Sequence, residues 1–245
     1  MDRLDDAHYT SVTAYFRRIF DDIGISPSAR LLDFGCGYGL HMREYLRAGF
    51  DAYGCDIAEY RADERVRMIE REPYRIPFED NFFDAVVSTS VLEHAQNTEE
   101  VFREIKRVLR PGGKAVHLFP TRWYFPREPH IYVPLANFFG NNVPRWWLKL
   151  WAALGVRNEY QQGMTTDEVV DKNVDFCRRG VWYISCGEHE RIAKRVYGNC
   201  EWAMSTLFKH GEGGFASLAR KIPLGSFWGF LGRHCRMALM VHRKD

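Results

Sequence analysis

Short apolar runs alternate with segments of helical period over the first half of the chain, and this alternation limits the fold more than any other feature. The apolar runs predict strands at residues 29–35, 50–57, 65–72, within 82–94 and at 114–120. Helical period occurs at residues 9–23, 40–49 and 98–110, with Thr98 as the expected N-cap of the last helix. Strands that alternate with helices predict a parallel sheet covered on both faces, which is a doubly wound α/β fold.

A glycine-rich turn follows the first predicted strand, in the stretch LLDFGCGYG at residues 31–39. A dinucleotide-binding turn needs its third glycine three positions after Gly37, but Leu40 stands there and the third glycine is Gly39. Asp33 precedes the turn, where a buried acid would repel a pyrophosphate and suit a cationic ligand. The turn therefore predicts a ligand other than a nicotinamide dinucleotide.

Asp56 lies at the predicted end of the second strand, where an acid can bind both hydroxyls of a ribose. Ligands of such sheets bind beyond the carboxyl ends of the strands, so the glycine turn, Asp56 and residues 88–94 are expected to meet. Together they predict a nucleoside that carries an amino-acid-like group in place of phosphates.

Four blocks in this order resemble the class I S-adenosylmethionine-dependent methyltransferases of the methyltransferase-11-like branch, over roughly residues 29–120: LLDFGCGYG, GCDIAE, IPFEDNFFDAVVSTSVLEH and EIKRVLRPGGK. The resemblance implies a mostly parallel seven-stranded sheet, methyl transfer as the activity and S-adenosylmethionine as the cofactor. Carried over by position, it also implies cofactor contacts: Asp33, Gly35 and Gly37 at the methionine end, Asp56 at the ribose, Ile57 and Glu72 at the adenine, and Ser88 near the sulfonium.

The pattern changes after Pro120, where aromatic residues become frequent. Helices are predicted at residues 144–155, 165–177 and 188–198, and strands at 200–208 and 235–244. We expect one domain made of an N-terminal helical lid (1–28), a cofactor-binding core (29–120), a helical substrate-facing insert (121–199) and C-terminal strands that complete the sheet (200–245).

Two histidines are candidate general bases for an acceptor hydroxyl: His94, which closes VLEH after the fourth strand, and His130, in the loop after the fifth. The alternatives are a structural hydrogen bond for His94 and a solvated loop position for His130. Aromatic rings mixed with carboxylates suit a sugar ring or a phenol, so four residues near His130 are expected to bind the acceptor: Tyr124, Arg127, Glu128 and Tyr132.

Residues 120–160 also resemble inserts of methyltransferases from bacterial surface-polysaccharide and O-antigen pathways. This implies O-methylation of a saccharide or glycan intermediate, including a lipid-linked one that Trp146, Trp147 and Trp151 would meet at a membrane surface beside Arg145 and Lys149. Packing of these tryptophans onto the sheet is the alternative. Two other functions stay open: methylation of a quinone, phenol or other small aromatic metabolite, and a cofactor-binding scaffold module without turnover.

Composition and motifs limit which partners and metals the sequence predicts. The net charge is only +2, and the fourth strand is not followed by the Pro-Pro-aromatic motif of nucleobase methylation, so we expect no nucleic-acid partner. The six cysteines contain no C-x-x-C pair, and no cluster of Asp and Asn follows the fourth strand, so no metal is expected. The absence of a secretory signal and of a long apolar run predicts a cytoplasmic protein without a transmembrane segment.

Overall fold

The computed structural model of the protein describes residues 6–58, 63–211, 213–222 and 224–245, with side chains except at 6–10 and 12. Residues 1–5 of the predicted N-terminal lid lie outside this described part. The strands are β1 (Arg30–Phe34), β2 (Asp51–Asp56), β3 (Val66–Met68), β4 (Glu70–Arg71), β5 (Tyr74–Arg75), β6 (Phe83–Thr89), β7 (Leu109–Pro120), β8 (Glu201–Trp202) and β9 (Met237–Arg243). The helices are α1 (Asp6–Ile23), α2 (Leu40–Arg47), α3 (Thr98–Val108), α4 (Arg145–Ala153), α5 (Thr166–Asp175), α6 (Cys186–Tyr197), α7 (Met204–His210), α8 (Gly214–Lys221) and α9 (Gly225–Cys235).

A seven-stranded sheet in the order β3-β2-β1-β6-β7-β9-β8 organises the described chain. Its pairs are parallel from β3 to β7, whereas β9 runs antiparallel to both of its neighbours. This confirms the mostly parallel, doubly wound sheet. The chain moves outward from β1 to β3 and then returns to β6, so a crevice opens beyond the carboxyl ends of β1 and β6.

The sheet is buried because helices cover it. Leu31, Leu32 and Phe34 of β1 are buried, as expected for a central parallel strand. α1 packs against α2 and α7, and α3 packs against α6. Beneath α3, the side chain of His117 is fully buried and its Nδ1 atom bonds the hydroxyl of Ser88, so His117 is a packed core histidine. Burial lowers the pKa of His117 well below its ordinary value, so its imidazole is neutral at pH 7.

The insert builds an apolar cluster of its own, separate from the core of the sheet. Leu148 and Ala152 of α4 meet Val169 and Val170 of α5 in this cluster. α5 begins at the N-cap Thr165, whose side chain accepts a hydrogen bond from the backbone of Glu168. None of the helices in the described ranges is long and apolar enough to cross a membrane.

The region after α6 differs from the sequence prediction. The strand expected at residues 200–208 is wrong beyond β8, because Met204 and Leu207 bury one face of the helix α7 instead. α8 and α9 were not predicted, whereas β9 confirms the strand expected at 235–244. The third strand, expected at 65–72, is also shorter, because a hairpin of β4 and β5 replaces its second half.

The start of α3 also differs. The N-cap is Asn97, whose side-chain oxygen accepts a hydrogen bond of 3.2 Å from the backbone of Glu100, and not Thr98, which begins the helix and is buried. Thr98 was favoured because Thr is a good capping residue, but Asn is at least as good and lies one position earlier.

We expect Asn97→Ala to lower the free energy of unfolding by about 1 kcal/mol, because the helix loses its capping acceptor. Thr98→Val, which removes a hydroxyl and keeps the buried shape, is the matched control and should lower it by less than Asn97→Ala does. Urea unfolding of both variants gives the comparison. A larger loss in Thr98→Val than in Asn97→Ala would contradict this cap.

Candidate active site

The glycine turn links β1 to α2 at the carboxyl edge of the sheet. Gly35, Gly37 and Gly39 all have positive φ, at 76°, 51° and 69°, a region that side-chain-bearing residues rarely adopt. A Cβ atom on Gly35 would also lie 2.4 Å from a methyl carbon of Val91. The turn therefore needs glycine both for its backbone path and for its close approach to the segment after β6.

Asp56 ties this turn to the end of β2. One carboxylate oxygen accepts a hydrogen bond of 2.8 Å from the backbone N–H of Gly37, and the other accepts one of 2.7 Å from that of Ile57. The side chain of Ile57 is half exposed and offers an apolar surface beside this carboxylate. The structure thus brings together Gly37, Asp56 and Ile57, three of the residues expected to contact the cofactor.

Asp33 is buried at the end of β1, behind the turn. Burial, and then the neighbouring charge of Asp56, raises the pKa of Asp33 from its ordinary value of 3.8 to about 7. Its Oδ2 atom has no hydrogen-bond partner among the residues that the structure describes. A cation or a hydrogen-bond donor placed here would satisfy that oxygen and favour the ionised carboxyl.

The other two expected cofactor contacts are placed differently. Glu72 is exposed in the turn of the β4–β5 hairpin, and Arg71 of that hairpin donates a hydrogen bond of 3.5 Å to the carbonyl of Ile57. The hairpin therefore lies beside the adenine side of the expected site. Ser88 is turned into the core, where its hydroxyl bonds Nδ1 of His117 at 2.8 Å, so it is not grouped with the residues of the turn.

These residues fit S-adenosylmethionine. The turn requires glycine for its backbone conformation and leaves no room for a side chain at Gly35, Asp33 presents an unsatisfied buried oxygen, and Asp56 stands at the end of the neighbouring strand. A cationic sulfonium with an amino-acid group and a ribose matches that set of acidic acceptors, whereas a pyrophosphate does not.

Sequence comparison with known proteins supports the same interpretation. Residues 32–117 match the family described as "Methyltransferase domain". The chain is 35% identical over 105 residues to a sterol 24-C-methyltransferase of Gibberella zeae, a match that covers 38% of this chain and 28% of that protein. It therefore spans about a third of the length of the first curated relatives that it matches.

Two solved structures share the fold. An S-adenosylmethionine-dependent methyltransferase from Mesorhizobium loti superposes with a TM-score of 0.51 at 16% identity, over 96% of this chain and 98% of that chain. A phosphoethanolamine N-methyltransferase of Haemonchus contortus, in complex with S-adenosylhomocysteine, also gives a TM-score of 0.51 at 16% identity, over 98% of this chain and 57% of that one. Residues 32–117 therefore match a methyltransferase domain in sequence, and the chain has the class I methyltransferase fold.

A cluster of polar side chains lies where the insert meets the carboxyl ends of β6 and β7. Glu93 and His94 belong to a short 3₁₀ turn after β6, and His130 comes from the loop after β7. One ligand-type atom from each of the three lies within 4.8 Å of the others. His94 and His130, the two candidate bases, are thus neighbours, with their ring centroids 5.0 Å apart.

Buried Glu128 organises the loop that carries His130. One of its oxygens accepts hydrogen bonds from the backbone N–H groups of His130 (2.6 Å) and Ile131 (2.7 Å). The other oxygen accepts from Nδ1 of His130 and from the hydroxyl of Tyr183, each at 2.8 Å. Burial alone would raise the pKa of Glu128, but these hydrogen bonds, above all that of His130, hold it below its ordinary range.

The charge of His130 argues against its expected role as a general base. Burial lowers the pKa of His130, but the contacts with Glu128 and Glu93 outweigh burial and raise it to about 9. At neutral pH the imidazole therefore already holds a second proton and cannot accept another. His94 remains a candidate, with its Nδ1 bonded to the carbonyl of Gly180 at 2.6 Å.

Of the four residues expected to bind the acceptor, only Glu128 joins this cluster. Arg127 lies over the ring of Tyr132, whose hydroxyl donates a hydrogen bond of 3.3 Å to Glu159. Tyr124 packs beneath the guanidinium of Arg236. The side chains of Tyr124, Arg127 and Tyr132 therefore have partners outside the cluster.

The tryptophans of the insert divide between packing and exposure. Trp147 and Trp151 pack against the apolar cluster of the insert, and the indole of Trp147 donates a hydrogen bond of 2.8 Å to the carbonyl of Pro134. Trp146 is 64% exposed. Arg145 and Lys149 pair with acidic residues of the insert, so their charges are locally balanced.

Sequence reasoning missed two residues of the cluster. Glu93 was visible in the Glu-His pair after β6, but nothing in the local pattern showed that it would be buried. Tyr183 lies 53 residues from His130 in the chain, and only the folding of the insert brings its hydroxyl to Glu128.

We expect the stability of the protein to depend on pH through Asp33. Between pH 4 and pH 7 the Asp33 carboxyl is ionised in the unfolded chain but protonated in the folded chain. Its contribution to the free energy of unfolding therefore falls as the pH rises through this range and is constant above about pH 7. Asp33→Asn removes this dependence. The unfolding free energy of Asp33→Asn should therefore rise relative to the native protein by roughly 2 kcal/mol between pH 5 and pH 7.5.

Urea unfolding of both proteins at the two pH values measures that difference, and the paired design cancels the titration of groups that they share. A difference that does not change with pH would show that Asp33 ionises at its ordinary value in the folded protein.

Proposed function

We propose that this protein transfers the methyl group of S-adenosylmethionine to a hydroxyl oxygen of a small polar acceptor, a saccharide or glycan-pathway intermediate. The observation that supports this proposal is the polar cluster of buried Glu93, exposed His94 and partly buried His130 beyond the strand ends, close to the segment that the glycine turn contacts at Val91. Such a cluster suits an acceptor that makes hydrogen bonds.

The cavity beside this cluster is lined by both polar and apolar side chains. It has a volume of about 280 Å³ and extends into the insert. Its polar lining consists of Arg122, Glu128, Asn137, Asn141, Asn142 and Tyr183. These amide and charged side chains match the hydroxyls of a sugar, and the remaining lining is apolar, with Ala136, Phe139, Val143, Cys177 and Val181.

Methyl transfer is an in-line displacement, so the main task of the protein is to align the acceptor and exclude water. When bound, S-adenosylmethionine supplies an electrophilic methyl group, whose carbon–sulfur bond breaks as the carbon–oxygen bond forms. The acceptor hydroxyl must lose its proton. We assign this proton to the carboxylate of Glu93, because both of its oxygens are buried without a hydrogen-bond partner in the described chain.

A second candidate acceptor is a sterol or another lipid. The names of the curated relatives support it, as does an exposed apolar stripe on one side of α4, formed by Trp146, Leu150 and Leu154. This stripe is also the surface through which we propose peripheral contact with a membrane. A lipid acceptor would be methylated at carbon in the manner that those relatives' names state.

We expect Asp56→Ala to weaken the binding of S-adenosylhomocysteine at least tenfold, about 1.4 kcal/mol, because the ribose hydroxyls lose their acceptor. Asp51→Ala is the matched control, since Asp51 stands at the other end of β2 and makes only partly exposed ion pairs with Arg30 and Arg65. Calorimetry with the purified proteins gives both affinities. Equal losses in the two variants would contradict a cofactor role for Asp56.

The acceptor class can be tested with the purified protein and S-adenosylmethionine carrying a deuterated methyl group. The acceptors are free and nucleotide-linked sugars, simple phenols, and a sterol in phospholipid vesicles. We expect a labelled methyl ether on a sugar, identified by mass spectrometry and by the NMR shift of the new methyl group.

Transfer to sterol carbon alone, or to phenols alone, would overturn the saccharide proposal. Binding of S-adenosylhomocysteine without transfer to any of these acceptors would also overturn it, in favour of a cofactor-binding scaffold module.

A further inference from the structure

We propose that Glu93, His94 and His130 bind a divalent transition-metal ion at the mouth of the cofactor crevice. A ligand-type atom of each residue lies within 4.8 Å of the other two. Two imidazoles and one carboxylate form a common ligand set for such ions. Metal–ligand distances of about 2.0–2.2 Å would require these side chains to draw slightly closer together.

Both histidines are oriented as metal ligands usually are. Nδ1 of His94 donates to the carbonyl of Gly180 at 2.6 Å, and Nδ1 of His130 donates to the carboxylate of Glu128 at 2.8 Å. Each ring therefore has its Nδ1 atom fixed by an oxygen acceptor. Nε2 of His94 is left to bind an ion, and Nε2 of His130 would bind it after losing the second proton that it holds in the metal-free protein. Hydrogen bonds of this kind fix the tautomer of metal-binding histidines and strengthen them as ligands.

Glu93 supplies an independent observation. Its side chain is only 2% exposed, and neither carboxylate oxygen has a hydrogen-bond partner in the part of the chain that the structure describes. Nε2 of His130 is 3.6 Å from the nearer oxygen, which is too long for a hydrogen bond. In the metal-free protein the protonated imidazole of His130 balances the charge of Glu93 from this distance, and a cation bound directly to the carboxylate would take over that role.

The backbone around the cluster is well anchored. The backbone carbonyl of Glu93 accepts a hydrogen bond of 2.6 Å from the N–H of Trp182, and the loop of His130 is held by the two backbone hydrogen bonds to Glu128. The three ligands are thus fixed from the strand end, from the loop after β7 and from the insert. Because the backbone is fixed in this way, the three side chains need little rearrangement to bind an ion.

The ligand types favour Zn²⁺, Mn²⁺, Fe²⁺ or Co²⁺ over Mg²⁺ and Ca²⁺, which prefer sites made of oxygen alone. Three protein ligands leave at least one coordination position open. An acceptor hydroxyl bound there would become more acidic, and Glu93 would then act as a ligand of the ion while the ion promotes loss of the proton. Only this catalytic use of the ion rests on the proposed function; metal binding itself does not.

The test is metal binding by the full chain after treatment with a chelator. Zn²⁺ is titrated by calorimetry, and Co²⁺ is followed by its visible absorption, which reports nitrogen and oxygen coordination. We expect one equivalent of either ion to bind the native protein. His94→Ala and Glu93→Gln should each weaken binding at least about tenfold and change the Co²⁺ spectrum.

His210→Ala is the matched control, because His210 pairs with Asp22 near α1 and lies outside the cluster. Unchanged Zn²⁺ affinity and Co²⁺ spectra in His94→Ala and Glu93→Gln, or no binding by the native protein, would overturn the metal site. Binding of S-adenosylhomocysteine is measured on the same samples. Intact cofactor binding without metal binding would therefore reject the metal site and leave the proposed methyl transfer standing.

Discussion

The hydrogen bond between the carboxylate of Asp56 and the backbone of Gly37 is the contact on which the cofactor side of the molecule depends. It joins the end of β2 to the turn after β1, and so fixes the path of the chain into α2. The same turn then approaches Val91 so closely that Gly35 cannot carry a side chain. Three segments that are distant in the sequence are held in one crevice by these backbone contacts.

Several hydrogen bonds attach the insert to this frame. Trp182 bonds the backbone of Glu93, Gly180 bonds His94, and Tyr183 reaches Glu128. The apolar cluster of the insert is separate from that of the sheet, so these contacts supply much of the connection between the two. The residues that we propose to handle the acceptor therefore also determine where the insert lies.

Much of the fold could be predicted because its signals are local. Apolar runs and helical period located β1, β2, β6, α2, α3 and β9, and the glycine turn with Asp33 and Asp56 indicated the cofactor. The prediction failed where a short segment suits either a strand or a helix. Residues 200–208 contain apolar residues that suit a strand, yet Met204 and Leu207 pack as one helix face. The polar cluster could be predicted only in part: His94, His130 and Glu128 were named from the sequence, but burial of Glu93 and the approach of Tyr183 depend on how the insert folds.

The position of β9 has a consequence for how the chain folds. β9 lies inside the sheet, between β7 and β8, and its residues 237–243 pair with residues 114–120. The β7–β9 ladder, and with it the contact between His117 and His242, must therefore wait until a segment more than a hundred residues later has been synthesised. Until then β7 has an unpaired edge while the ribosome is still synthesising the chain. Closure of so distant a pair raises the contact order of the fold, which predicts slow completion of the sheet during synthesis.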